Sequence, residues 1–342
     1  MSFITINQQN FAHNIHFVSE KAGGIKKIMA VLKDNAYGHG LQIMAKLSSS
    51  LGIRKAAVKN LQEAMQISEL FDEILVLVDQ PPKKDIPQNI SIAIHTLEAL
   101  QKVLPKTAVH LSLDTGMHRN GLHEDEYEAA LKIVKKNDLV LKGIFTHFRS
   151  ADEFDSDYFW QEQNYLKAKK QMQDLIQKYH LPKPAFHSCN SAALLRQTKP
   201  LDDDYARCGI AIYGYIGLPS SFAKYDLKPV MSLWAQRLST RILKKGQKIG
   251  YGGAYEAKGD EPISTYDIGY GDGFFRYDGK DQICLDTQNT LVGKISMDSL
   301  FIKGDKEEVC LFEDVSVLAN EFHTIVYEIF TKLSPTLERR VI

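Results

Sequence analysis

The sequence predicts an α/β fold, with an N-terminal (β/α)8 barrel followed by a mainly β C-terminal domain. Three observations predict it. Short apolar runs alternate with amphipathic helical patterns through the first two-thirds of the chain. Most of these runs are unbroken rather than alternating, as expected of parallel strands buried on both faces. Near Gly217–Asp226 the texture changes to short β-like runs punctuated by glycine turns.

In order along the chain, the strand candidates are Lys27–Leu32, Ala56–Val58, Ile74–Val78, Ile92–Ile94, Val109–Leu113, Leu141–Thr146, Ala185–Cys189 and Tyr205–Ile210. Helical patterns between them include Leu61–Phe71, Thr96–Leu104, Asp125–Lys136 and Asp157–Tyr179. Eight strand–helix units suggest a TIM-like barrel, whose active site lies at the C-terminal ends of its strands. An open doubly wound sheet shows the same alternation, and the strand count favours the barrel. The first domain is placed at 1–222 and the second at 223–342. Within the second, β-like runs are Val230–Arg241, Ile263–Ile268, Gln282–Leu285, Leu291–Met297 and Val309–Phe312, with one helical pattern at Thr324–Leu333. Pro335 interrupts the pattern of the tail.

A length of 342 residues suits two domains. Hydrophobic residues make up 44% and charged residues 25%, ordinary for a soluble globular protein. Lys+Arg and Asp+Glu both number 42, so no charge excess draws the chain to nucleic acid or an anionic membrane. Met1–Asn7 lacks the basic and apolar regions of a signal peptide, and no apolar stretch is long enough to span a bilayer. Cys189, Cys208, Cys284 and Cys310 are scattered without a CxxC pair. They read as free thiols in a reducing, cytoplasmic compartment, and no metal site is expected.

Lys33 ends the first apolar run and opens the turn Asp34-Asn35-Ala36-Tyr37-Gly38-His39-Gly40. At the end of a buried strand an amine is partly desolvated, which favours its neutral, nucleophilic form and Schiff-base chemistry with an aldehyde. Taken alone, a lysine there is more often a solvated strand end. Other polar segments also follow strand candidates. These are Asp114-Thr115-Gly116-Met117-His118-Arg119-Asn120-Gly121, Thr146-His147-Phe148-Arg149, His187-Ser188-Cys189-Asn190-Ser191 and Ala206-Arg207-Cys208-Gly209-Ile210. Ser191 opens a helical run and reads as an N-cap, a position compatible with phosphate binding. In the second domain Gly269-Tyr270-Gly271-Asp272-Gly273 reads as a hairpin turn.

Together, in this order, the segments resemble the alanine racemases from the Asn14 region to about Ile329. The resemblance implies a pyridoxal 5'-phosphate enzyme that interconverts L- and D-alanine by two-base proton exchange at Cα, supplying D-alanine for peptidoglycan precursors. It implies that Lys33 holds the cofactor and serves one face of Cα, while Tyr270 of the other subunit of a homodimer serves the opposite face. Cofactor contacts implied for this chain are Tyr37, Arg119, His147, Asn190, Ser191, Arg207, Gly209, Ile210 and Tyr327; Tyr37 and Tyr327 lie near the phosphate group. Arg119 and Met297 are implied to meet the small amino-acid substrate, and Asp152 to line its passage. Arg207 is implied to face the pyridine nitrogen, where an arginine, unlike a carboxylate, leaves that nitrogen unprotonated and limits carbanion delocalisation. His147, linked to Arg207, is the candidate relay to Tyr270, whose ordinary pKa of about 10 must fall toward neutrality.

Ser112 stands where the family commonly has an orienting lysine, Cys208 where proline is usual, and Lys294 where arginine is usual. The first and last departures keep a broad-specificity racemase open. A fold-related decarboxylase and a non-catalytic pyridoxal-phosphate carrier are further readings; Arg207 argues against the first and the Tyr270 domain against the second.

Overall fold

A computed structural model describes the chain except residues 220, 221, 223, 224, 280, 281 and 286–288. Part of the junction expected at Gly217–Asp226, including the first residue of the expected second domain, therefore lies outside the described residues. The chain forms two compact units: Asn10–Ala36 with Leu41–Lys228, and Met1–Gln9 with Tyr37–Gly40 and Pro229–Ile342. The division thus falls after Lys228 rather than 222, and the opening strand β1 (Phe3–Ile6) belongs with the C-terminal unit.

In the barrel unit the parallel strands are β2 (Ile28–Val31), β3 (Lys55–Val58), β4 (Glu73–Val76), β5 (Ile90–Ile94), β6 (Ala108–Ser112), β7 (Val140–Phe145), β8 (Ala185–His187) and β9 (Ala206–Cys208). They pair in sequence order, and β9 returns to pair with β2. The last seam is bridged where Asp204 N–H donates to the Phe186 carbonyl and Arg207 N–H to the Cys189 carbonyl, each at 2.9 Å. The result is a nearly closed eight-stranded barrel. Ala56, Ala57, Val58, Ile74, Leu75 and Val76 are all fully buried. That explains the unbroken apolar runs, since a barrel strand has an interior on one side and helices on the other.

The helices follow local rules. Asn60 caps Leu61–Ile67 by accepting from Glu63 N–H at 2.9 Å, and Thr96 caps Leu97–Gln101 by accepting from Ala99 N–H at 3.1 Å. The longest, Asp157–Tyr179, has the expected bounds and stops at His180 in the left-handed conformation.

The second unit adds β10 (Met231–Leu243), β11 (Lys248–Ile249), β12 (Tyr255–Glu256), β13 (Glu261–Tyr266), β14 (Ile283–Cys284), β15 (Thr290–Val292), β16 (Leu300–Lys303), β17 (Glu308–Phe312) and β18 (Glu338–Val341). Long β10 pairs with β1, β13 and β17; β16, β15 and β14 continue from β13, and β11–β12 form a separate hairpin. Beyond Pro335 the tail forms a strand: β18 pairs parallel with β1, Phe3 opposite Glu338 through Ile6 opposite Val341. Its sequence, Glu-Arg-Arg-Val, carries no apolar alternation, and only a partner from the other end of the chain specifies it. Helices Ser316–Glu321 and Val326–Lys332 complete the unit.

Candidate active site

Lys33 follows β2 at the C-terminal rim of the barrel. It is partly buried, and no hydrogen bond or ion pair engages its amine among the described residues. The next residues form one left-handed helical turn: φ is 55° at Asp34, 55° at Asn35, 53° at Ala36 and 49° at Tyr37. Each such residue costs about 1–2 kcal/mol over the right-handed form. Side chains of the barrel unit hold the turn. Asn35 N–H donates to Glu63 Oε1 at 2.9 Å, Asn35 Oδ1 accepts from Leu41 N–H at 2.8 Å, and Lys59 Nζ donates to Asp34 at 2.8 Å. Strain retained next to a lone amine points to a position that the surroundings over-determine.

Beyond β8 and β9 lies a cluster of unpaired backbone donors. The Ser191 hydroxyl accepts from Gly209 N–H at 3.0 Å and Ala211 N–H at 3.3 Å, tying the two loops together. Asn190, not Ser191, is the N-cap of Ser191–Arg196, with Oδ1 accepting from Ala193 N–H at 2.9 Å. The Ser191 hydroxyl is thus turned toward the β9 loop, which corrects its reading as a cap. The N–H groups of Ser191, Ala192 and Ile210 have no protein acceptor among the described residues, although all three residues are buried. Buried amides are rarely left unpaired, so such a group suits an anion.

Arg207, at the middle of β9, is buried inside the barrel. Its Nη1 donates to His187 Nδ1 at 2.7 Å and to the His187 carbonyl at 2.8 Å. Nη2 donates to the Thr146 carbonyl at 2.6 Å and the Ser188 carbonyl at 3.2 Å. Among the described residues no carboxylate forms an ion pair with it, and Nε is the one guanidinium nitrogen without a protein partner. Burial holds its pKa below the ordinary guanidinium range. The histidine bonded to Arg207 is therefore His187. The expected link from His147 to Arg207 is not made; His147 feels that cation only through space. Burial, then Arg207, Arg119 and Lys33, push the His147 imidazole down to about 3, so the ring is neutral at physiological pH.

Arg119 lies on an exposed loop after β6. The loop is anchored below it: Asp114 accepts from Gly116 and His118 N–H, each at 3.0 Å, and fully buried Gln161 donates to Thr115 Oγ1 at 3.3 Å and the His147 carbonyl at 2.9 Å. The loops carrying Arg119 and His147 are so braced by one side chain of the Asp157–Tyr179 helix. Ser112 is buried at the end of β6, and Arg119 has no carboxylate partner among the described residues.

The second unit presents its own set. Tyr270 begins a short helical turn and is 39% exposed; Met297, 54% exposed, lies beside it, its carbonyl accepting from Gly271 N–H at 2.8 Å. Gly273 closes the turn at φ 87°, where a Cβ would fall 1.9 Å from the Lys332 carbonyl oxygen, so only glycine fits. Tyr37 and Tyr327 pack ring to ring at 5.6 Å.

Glu73, His110 and His187 escaped the reading of the sequence as site residues. The signal available was a lone polar residue inside an apolar strand, as in Ala-Val-His-Leu-Ser of β6.

An eight-stranded barrel with a lone lysine and unpaired amide donors at its C-terminal rim, followed by a β unit, defines a two-domain barrel enzyme. Known proteins carry the same organisation. Residues 6–217 match the family "Alanine racemase, N-terminal domain" and residues 230–341 match "Alanine racemase, C-terminal domain". An alanine racemase of Nitratiruptor sp. is 46% identical over 344 residues, covering 99% of each chain. One from Campylobacter curvus is 45% identical over 342 residues and 100% of both. Among solved structures, the alanine racemase of Bacillus anthracis with bound L-Ala-P superposes with a TM-score of 0.88 at 28% identity, covering 100% of this chain and 95% of that one. The chain belongs to the alanine racemase family.

Proposed function

We propose that this chain racemises alanine with pyridoxal 5'-phosphate held at the barrel's C-terminal rim. The observation that carries the reading is the cluster of orphaned amides at Ser191, Ala192 and Ile210 in the same barrel rim as an unpartnered lysine. It offers an anion grip and an amine without a competing partner. Bound there, the cofactor supplies an aldehyde that captures amines and a ring that withdraws electrons from Cα.

The chain's residues then divide the work. The free N–H groups of Ser191, Ala192 and Ile210 grip the phosphate, with Asn190 setting the start of the helix; the Gly209 N–H, expected to join them, is instead committed to the Ser191 hydroxyl at 3.0 Å. Lys33 holds the aldehyde and moves the Cα proton on one face. Tyr270 of a second copy moves it on the other, so the active enzyme is a homodimer. Opposed bases are what inversion requires when no single base crosses from face to face. Arg207, with its Nη groups committed to protein acceptors, offers Nε–H to the ring nitrogen as a donor that cannot be turned into an acceptor. Arg119 bonds the cofactor's phenolic oxygen and lies near the substrate carboxylate, Met297 of a second copy meets the substrate, and neutral His147 packs against the ring without adding charge. The free thiols of Cys189, Cys208 and Cys284 fit a reducing, cytoplasmic compartment.

The test is a panel of L-amino acids followed by loss of optical activity. Alanine should turn over fastest, at a rate that depends on added pyridoxal phosphate. Release of CO2 would instead indicate a decarboxylase, bound cofactor without turnover a carrier, and equal rates on larger side chains a broad-specificity racemase.

A further inference from the structure

The interior of the barrel holds a polar chain that the proposed reaction does not itself use. His187 Nε2 lies 2.9 Å from His110 Nδ1, and His110 Nε2 lies 3.0 Å from Glu73 Oε1. The last contact has ion-pair distance without hydrogen-bond alignment, and it turns that nitrogen toward a carboxylate oxygen. Both imidazoles are fully buried. His110 is seated against bare backbone: a Cβ on Gly143 of β7 would lie 2.2 Å from its Nδ1, so the ring can sit there only because residue 143 is glycine.

The direction of the chain follows from one fact, that a guanidinium donates and never accepts. Arg207 Nη1 is 2.7 Å from His187 Nδ1, so Nδ1 accepts and carries no proton. The ring's proton is then on Nε2, which donates to His110 Nδ1. That nitrogen must be bare in turn, which puts the His110 proton on Nε2, facing Glu73. Each ring is neutral with its proton on Nε2, and a carboxylate terminates the line.

We propose that Glu73, through His110 and His187, is the remote counter-charge of Arg207, and that these three are positioning residues for the cofactor's ring. The other acid near Arg207 is already committed. Asp203 accepts from Lys169 Nζ at 2.8 Å, Tyr165 OH at 3.0 Å and Ser188 Oγ at 2.6 Å. Among the described residues Glu73 forms one lysine ion pair, with Lys55 at 3.7 Å, and Lys142 acts on it through space. Tyr205 stacks on the His187 ring at 4.5 Å and holds its plane. With no carboxylate touching the guanidinium, the line keeps Arg207 charged and fixed while leaving Nε–H free for a ligand. A direct carboxylate partner would compete for that donor.

The role toward the ring rests on the pyridoxal-phosphate reading; the proton pattern does not. Nitrogen-15 spectra of histidine-labelled protein, with and without pyridoxal phosphate, report the tautomer of each ring. His110→Gln and Glu73→Gln supply the assignment. Both His110 and His187 should be neutral Nε2–H forms near pH 7; a doubly protonated or Nδ1–H ring at either position overturns the chain whether or not cofactor binds. Glu73→Gln keeps an acceptor for His110 and removes only the charge. In the loaded enzyme it should move the pH midpoint of the bound cofactor's visible absorption downward, by about one unit. An unchanged midpoint with native tautomers overturns the counter-charge role, and failure to bind cofactor in the wild type overturns the underlying reading instead.

Discussion

Tyr270 and His147 show how differently one fold treats two titratable groups. Tyr270 is held out toward solvent on a glycine-closed turn, available to a second copy of the chain. Tyr270→Ala should keep bound pyridoxal phosphate, read from its visible absorption, and lose roughly 10²–10⁴-fold in alanine racemisation, the usual worth of a positioned acid or base. Near wild-type turnover would end the two-base mechanism. His147 is pushed down to about 3 by burial and then by the neighbouring cations. An unfolded chain protonates that ring near pH 6.5 and the native one resists until about pH 3. The unfolded state thus binds more protons in this window, and native stability falls as pH drops through it. His187 acts in the same direction. His147→Gln should therefore flatten the decline in urea midpoint between pH 7 and pH 5; an unchanged slope would show that His147 does not contribute.

At the scale of elements, the left-handed turn after Lys33 is the costly feature. Its four residues have no glycine among them, so the conformation is held by Glu63, Lys59 and the Asn35 side chain rather than by intrinsic preference. Asn35→Val removes the bond to Leu41 and places a β-branched residue at positive φ. We expect a loss of about 1–3 kcal/mol in chemical denaturation, with weakened cofactor retention because the turn sets the direction of Lys33. The Tyr270 turn makes a complementary case. Gly273→Ala drives a methyl group onto the Lys332 carbonyl oxygen. It should impair racemisation while the barrel unit still binds pyridoxal phosphate, a separation that activity and cofactor absorbance measured together would reveal. Strands β1 and β18 belong to this scale as well: each is only four residues long, and they exist because they pair with one another and β1 with β10.

For the whole molecule, the proposed division of bases between copies makes activity a property of the dimer. Specific activity should fall on dilution in step with dimer dissociation followed by sedimentation, and full activity in a demonstrated monomer would refute shared sites. The barrel was legible because each strand's burial on both faces is written locally, as an unbroken apolar run. Lys33, Arg207 and Tyr270 could be singled out as candidates because each sits in a short segment with a distinctive local pattern; what each one touches is set by the fold. Ser191 was legible as a residue but not in its role, since a cap and a loop tie look alike until the neighbouring Asn190 is seen to take the cap.

By itself, the sequence determined the alternation that builds the barrel, the change to a β unit, and the ordered segments that place the chain in its family. Those properties arise from residues near one another in the chain, where periodicity and backbone preference act. Tertiary structure alone decided that Arg207 bonds to His187 rather than relating directly to His147. It alone aligned Glu73, His110 and His187, since His110 and His187 stand 77 positions apart and meet only when the strands curve around a common interior. A buried charge must find its partners wherever the fold brings them, and no local pattern records which ones those are.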